Sequence, residues 1–291
     1  MPAMSMGSYR EWRAVRLDRY PTSVAELVTE IGGLLDLTTQ EKASVLESCR
    51  RANMAIYSCR DRFVDRKAIL KFASRFGLRE VDHHLCANDD GVSELTVAAE
   101  GVRGGYVPYS NRSLSWHTDG YYNPTSSRLQ AVVLHCAQDA SAGGRNAVLD
   151  PEIAYIHLRD ANPDYIKALE RADCMEIPAN KDVDGEIRPA VSGPVFWYDT
   201  KSTALRMRYS ARKKNIHWRD DALTKAAREC LAELLGDEAG PVLRFRLQPG
   251  QGLISNNVLH NRTAFEDASD EPRLLYRARF FDGITGGEET S

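Results

Sequence analysis

Three side chains in this sequence have the types and spacing to hold one metal ion: His117, Asp119 and His260. His117 and Asp119 sit two apart in SLSWHTDGYYNP, and on an extended strand residues two apart point to the same face. A third ligand must come from elsewhere. His260, in NNVLHNRTAF, stands 141 residues beyond Asp119 and beside another β-rich run. Two imidazoles and one carboxylate on one side of an ion leave three positions open, the arrangement used for non-haem Fe(II) and oxygen chemistry. The same three ligands also suit zinc. The remaining histidines read more plainly: His83 and His84 in a polar loop, His157 in a helix, His217 in a basic loop, and His135 in the apolar run AVVLHC as a core residue.

Beyond His260, the run RLLYRARFF carries Arg273, Arg277 and Arg279. Read as one strand, it turns Arg273 and Arg277 to the same side. A metal-chelated 2-oxo acid with a far carboxylate needs a fixed cation at that end, and the planar fork of arginine binds a carboxylate with two parallel hydrogen bonds. The spacing from His260 selects Arg273 for this role, while Arg279 reads as solvated or ion-paired. Tyr121 and Tyr122 follow the HxDG directly, Trp116 precedes it, and Tyr106 and Tyr109 lie just upstream. Aromatic walls hold quaternary ammonium groups by cation–π attraction, which would suit a betaine-like substrate; core or lid packing is the plainer reading. The segment MRYSARKKNIHW is rich in cations, of which Arg208 and Arg212 are the candidates for a substrate anion and the others read as a solvated loop.

The elements that must position these groups are mixed. Helical spacing is expected over Ser23–Leu35, from Thr39 to Ala52 with Thr38 or Thr39 as cap, and over Arg66–Phe76, with MAIYSC as a short strand between the last two. From Glu94 onward the runs ELTVAA, RLQAVVLHC, PVFWY, ALRMRY, PVLRFRL, GLIS and RLLYRARFF read as short strands separated by turn clusters. Helices interrupt over Pro151–Glu170, with a break at Pro163, and over Asp220–Leu235. The expected fold is therefore mainly β with flanking helices (α+β), in a single domain over 1–291 whose 1–90 part is mostly helical and whose 91–291 part holds a β core with helical insertions.

Composition narrows the function classes. The chain has 291 residues, 43% hydrophobic and 27% charged, with a net charge of −3, so it lacks the broad basic field that nucleic acid binding uses. The N-terminus has no secretory apolar core, and no apolar run reaches the ~20 residues of a membrane span. Six scattered cysteines without a CxxC pair suggest free thiols and a cytoplasmic protein. No glycine-rich nucleotide-binding turn occurs. The partner expected is a small molecule, with no nucleic acid and no membrane; a homo-oligomer is compatible with this class.

Several motifs together resemble the Fe(II)/2-oxoglutarate taurine dioxygenase superfamily, with a layout similar to γ-butyrobetaine hydroxylase: WHTDG, LHC…GGRN…LD, LQPGQGLISNN and HNRTAFED…RLLYRARF, from about Tyr106 to Asp282. The resemblance implies a double-stranded β-helix (jelly roll). It implies Fe(2+) on His117, Asp119 and His260, with O2 and 2-oxoglutarate as co-substrates, and Arg273 on the distal carboxylate. Asn146 falls where relatives have a Thr or Ser assisting that contact. Arg277 matches a position near the substrate anion or the C1 carboxylate. The implied reaction hydroxylates a C–H bond of a small anionic or zwitterionic metabolite, with release of succinate and CO2. Two departures stand out: Ser255-Asn256-Asn257 with no nearby Arg precedes the distal His, and GGRN replaces a GG-Asp-Thr pattern. The rival readings are a zinc enzyme using the same triad, a non-catalytic β-sandwich that binds a metabolite, and an oxygenase acting on a macromolecular side chain.

Overall fold

A computed structural model describes residues 6–61, 64–98, 100–182, 185–200, 202–268 and 271–286. The architecture is mixed α+β, with many short strands and a set of helices. The chain divides into two compact units, each built from several chain segments.

The first unit comprises 21–114, 129–148 and 243–291. Its main element is a six-stranded sheet in the order Val28–Ile31, Met54–Cys59, Gln251–Ser255, Ala131–Gln138, Leu274–Phe280, Ser93–Leu95. The outer pair Val28–Ile31 and Met54–Cys59 is parallel, and the other pairings are antiparallel. One face of this sheet is covered by the Thr39–Ala52 and Arg66–Ser74 helices. There Tyr57, Val133, Ile254, Ala278 and Phe280 join Val45, Ile69, Phe72 and Phe76 in the core. Truncating a fully buried ring such as Phe72 costs roughly 3–5 kcal/mol. The helices start where the sequence offers caps: Thr38 accepts from the Glu41 amide at 3.2 Å, and Asp65 from the Ala68 amide at 2.7 Å. Gly252 admits the Tyr57 ring, because an added Cβ would lie 2.1 Å from that ring and 2.4 Å from the Leu134 carbonyl. A second sheet runs Leu243–Phe245, Asn146–Leu149, Leu259–Arg262.

The second unit comprises 1–20, 115–128 and 149–242. It holds the helices Met6–Arg19, Pro151–Ala161, Pro163–Leu169 and Ala222–Gly236. It also holds a three-stranded sheet, Val191–Gly193, Met175–Ile177, His217–Trp218, and a ribbon of Phe196–Tyr198 with Leu205–Met207. Arg16 of the first helix bonds Asp150 at 2.6 Å and Glu152 at 2.5 Å, which fixes that helix to the start of Pro151–Ala161. The break expected at Pro163 is there: Asn162 ends one helix and caps the next. Asp221 caps the last helix through the Thr224 amide.

The expected helix over Ser23–Leu35 is a correction. Only Val24–Leu27 forms a 3-10 turn, and Val28–Ile31 is a strand paired with Ile56–Cys59. Apolar residues at 24, 27, 31 and 34 imitate a helical stripe, but β-branched Val28, Thr29 and Ile31 beside a ready strand edge favour extended backbone. The Met6–Arg19 helix went unread in the sequence. Among the described residues, no helix is long and apolar enough to cross a membrane.

Candidate metal centre

The strand Leu114–His117 ends at the first ligand candidate, and Asp119 lies beyond it in a turn rather than on the strand. This corrects the simple alternation argument. The reversal uses Gly120, which has φ +65°, a conformation glycine adopts without Cβ strain. The segment is held from one side by 209–211: Thr118 donates its amide to Tyr209 O at 3.0 Å, Tyr209 donates to Thr118 Oγ1 at 3.1 Å, and Ala211 donates to Trp116 O at 2.8 Å. His260 lies within the strand Leu259–Arg262.

His117, Asp119 and His260 each offer one ligand atom, and these atoms lie within 4.8 Å of one another. Among the described residues, no other group of three or more His, Cys, Asp or Glu side chains meets that condition. His117 and Asp119 are buried, with Nε2 to Oδ1 at 3.8 Å. Both imidazoles have the same local arrangement. His117 Nδ1 lies 2.8 Å from the Ser115 carbonyl, and His260 Nδ1 lies 2.9 Å from the Val258 carbonyl. A carbonyl only accepts, so each Nδ1 is the donor, and in the neutral imidazole the lone pair then sits on Nε2, the atom a metal takes. The donor set of two imidazole nitrogens and one carboxylate oxygen fits Fe(II).

Arg273 precedes the strand Leu274–Phe280, which corrects its expected place on that strand. The register slips at this point: Leu274 pairs with Gln138 and Leu275 with Cys136, so Ala137 opposite is left as a bulge. The guanidinium of Arg273 lies 4.9 Å over the Phe265 ring and is only 4% exposed as a residue. Its Nη1 has no hydrogen-bond partner among the described residues. Burial holds its pKa below the ordinary arginine value. It lines a small polar cavity with Asp139, Gly144, Asn146, Arg246 and Leu275. Arg246 is neutralised there by Asp139 at 2.8 Å, so Arg273 is the cation left to meet an anion. Asn146 is buried beside it and its Nδ2 reaches Asn261 O at only 3.5 Å, a marginal contact. Gly144 lines that cavity with φ +66°, and a Cβ there would lie 3.6 Å from Arg273 Nε.

The other candidates separate. Arg277 is buried, in register with Leu134 and Ser93. Arg279 is buried and ion-paired with Asp82, so of its two sequence readings the salt bridge holds and the solvated one does not. Arg208 donates to four backbone carbonyls: Tyr121 O at 2.6 Å, Val191 O at 2.8 Å, Met175 O at 2.9 Å and Gly193 O at 3.3 Å. An arginine has five N–H groups, so this side chain is spent on the frame, contrary to the substrate role read from sequence. Arg212 donates to the Tyr121 hydroxyl at 3.1 Å and to Asn215 O, and lies 5.0 Å over the Tyr121 ring. Tyr121 meets the His117 ring edge-on at 6.2 Å, and Tyr122 meets Tyr121 likewise at 5.3 Å. Burial raises the Tyr121 pKa, opposed by nearby Arg212. Sequence reading missed Arg262, two residues past His260, which binds Ser110 O at 2.7 Å and Arg112 O at 2.5 Å. It also missed the Arg246–Asp139 pair. The alternation in RFRL was the available signal for Arg246.

The taurine catabolism dioxygenase TauD, TfdA family description matches residues 59–279. The chain belongs to this family. It is an Fe(II)- and 2-oxoglutarate-dependent oxygenase, and iron, 2-oxoglutarate and O2 are the family's cofactor and co-substrates. Similar solved structures share the fold at low identity. One is a taurine dioxygenase from Burkholderia xenovorans: 18% identity, TM-score 0.59, covering 89% of each chain. Another is the non-heme iron oxygenase OrfP in complex with Fe, succinate and (3S)-hydroxy-L-Arg: 16%, TM-score 0.60, covering 87% of this chain and 82% of that one. A third is an asparagine oxygenase in complex with Fe(II), 2S,3S-3-hydroxyasparagine and succinate: 15%, TM-score 0.54, covering 97% and 92%. Comparison with curated proteins gave no match.

Proposed function

We propose that the chain hydroxylates a C–H bond of a small anionic or zwitterionic metabolite on a double-stranded β-helix. In this reading His117, Asp119 and His260 hold Fe(II), and Arg273 holds the far carboxylate of 2-oxoglutarate. The observation that carries it is the convergence of the three ligand atoms within 4.8 Å, with both imidazoles turned to offer Nε2. Bound Fe(II) with 2-oxoglutarate and O2 supplies the oxidising power for C–H hydroxylation, with release of succinate and CO2. The protein's share is positional. The Ser115 and Val258 carbonyls fix both imidazole rings. The buried fork of Arg273 presents Nη1 to a carboxylate, and Asn146 flanks it with an amide. Phe265 covers one face of the guanidinium and keeps water from it, which strengthens the ion pair formed there.

An anionic or amino-acid-like substrate is favoured over a trimethylammonium one. The Tyr121 and Tyr122 rings already carry the protein's own cations, Arg212 at 5.0 Å and Arg188 at 5.9 Å. A quaternary ammonium would have to compete with those guanidiniums. The OrfP and asparagine oxygenase complexes with hydroxylated amino acids agree with this class. The six free cysteines fit a reducing cytoplasm.

The test is anaerobic addition of Fe(II) and 2-oxoglutarate, watched for the metal-to-ligand charge-transfer absorption. The wild type gains the band, His117→Ala loses it, and Arg273→Leu needs at least tenfold more 2-oxoglutarate, consistent with roughly 1.5–3 kcal/mol for hydrogen bonds to a charged group. Absence of the band in the wild type sinks the proposal, and zinc-dependent activity without O2 consumption would replace it.

A further inference from the structure

Arg246 and Asp139 each leave the end of a strand at the cavity that Arg273 lines. Phe245 closes the strand Leu243–Phe245 opposite Asn146, and Arg246 is the next residue. Asp139 follows the strand Ala131–Gln138 in the same way. Their ion pair, at 2.8 Å, balances charge without using up the guanidinium. Nη2 of Arg246 serves both Asp139 and the Ala140 carbonyl, while its Nε is buried with no hydrogen-bond partner among the described residues. Arg273 is in the same condition at Nη1. Two guanidiniums on one cavity thus each hold an unmatched N–H, and a carboxylate has two oxygens to accept them.

The three charges act on one another directly. Arg273 is repelled by Arg246 and attracted by Asp139. Gly144 packs against both walls: a Cβ there would be 3.6 Å from Arg273 Nε and 3.7 Å from Ala140 Cβ. The cavity has a volume of about 10 Å³, room for one water at most, so a wall must give before a carboxylate can enter. Of the residues that line it, only Asp139 and Arg246 reach solvent, with side chains 22% and 29% exposed; the rest are buried. Arg273 is held on Phe265, and Asn146 lies within a strand. The wall that can open is therefore the ion pair. Asp139 already places a carboxylate on Arg246, so it marks what that guanidinium accepts and competes with any second carboxylate brought to it.

We propose that Arg246 is a second binding residue for the distal carboxylate of 2-oxoglutarate, exchanging Asp139 for that carboxylate and sharing it with Arg273. Asp139 is the internal stand-in that turns toward solvent when the exchange occurs. This assignment rests on the oxygenase reading above, in which Arg273 alone holds the far end of the co-substrate.

The experiment titrates 2-oxoglutarate into anaerobic, Fe(II)-loaded protein and reads affinity from the metal-to-ligand charge-transfer absorption. The decisive protein combines Arg246→Gln with Asp139→Asn, removing cation and acid together. If Arg246 only neutralised Asp139, this double variant would bind 2-oxoglutarate as the wild type does. The proposal expects it to bind about tenfold or more weakly, the loss of a hydrogen bond to a charged group. At saturation the band returns at its wild-type wavelength, because chelation at the metal is untouched. Asp139→Asn alone removes the competitor and tightens 2-oxoglutarate about threefold, the weight of one partly exposed charge pair. Should the double variant fail to fold by circular dichroism, the single variant decides, and unchanged or weaker binding there overturns the assignment. Wild-type affinity in a folded double variant, or a band that does not return at saturation, overturns it as well. No band in the wild type overturns the oxygenase reading and this one with it. A wild-type band with Arg273→Leu weakened and the double variant unweakened overturns this one alone.

Discussion

Arg208 and Arg273 are both buried, at 3% and 4% exposure, and both have pKa values lowered by desolvation. Their donors go to opposite ends. Arg208 is caged by carbonyls from three separate chain segments around Tyr121, Met175 and Val191–Gly193, and its removal would strand those acceptors. Arg273 lies on Phe265 with Nη1 left without a partner among the described residues. A buried guanidinium with its N–H groups matched to backbone is a structural strut. One with an unmatched edge facing a polar cavity has its partner outside the chain.

The sharpest way to break this comparison is to remove each cation. Arg208→Met should destabilise the protein by roughly 3–5 kcal/mol, since two or more carbonyls lose donors at about 1–3 kcal/mol each, as read by urea denaturation. Arg273→Leu should leave stability unchanged or raised while 2-oxoglutarate affinity falls at least tenfold. Equal loss of stability in both would remove the distinction.

A smaller effect sharpens the same rule for a neutral group. His135 is fully buried at the centre of the six-stranded sheet. Its Nδ1 lies 3.2 Å from the Tyr57 hydroxyl, and its Nε2 has no partner among the described residues. Burial lowers its pKa to about 4. Above pH ~6.5 neither folded nor unfolded His135 is protonated, and the residue adds no pH dependence. As pH falls from there toward 4, the unfolded chain takes a proton that the folded one refuses. Stability then drops by about 1.4 kcal/mol per pH unit from this residue. Denaturation midpoints across pH 4–7 should flatten in His135→Gln relative to the wild type, and an unchanged slope would count against the burial argument.

Much of the strand inventory was legible because turn clusters bound the runs: GLIS and RLLYRARFF are strands within a residue of their expected ends, while RLQAVVLHC starts three residues later than expected, at Ala131. What failed did so for physical reasons. The 23–35 stretch carried a helical stripe but met a strand edge at Met54–Cys59, and pairing overrode local spacing. Arg208 read as a substrate cation because sequence shows donors and hides acceptors when the acceptors are backbone carbonyls from distant segments. The nearness of His117, Asp119 and His260 was readable from residue type and spacing, even though Asp119 lies in a turn. The Arg246–Asp139 pair was not, because the two residues are 107 positions apart.

The bulge at Ala137 has a consequence for how this cavity tolerates change. That single unpaired residue sets the phase between a regular ladder and the chain that continues to Asp139 and on to Gly144 and Asn146. Deleting Ala137 would restore an unbroken ladder while turning the residues that follow it to the opposite face. The variant should keep its circular dichroism spectrum and lose 2-oxoglutarate binding. A methyl-bearing residue with no chemistry of its own thus acts as the phase marker of the co-substrate site, and length at that point matters more than side-chain identity.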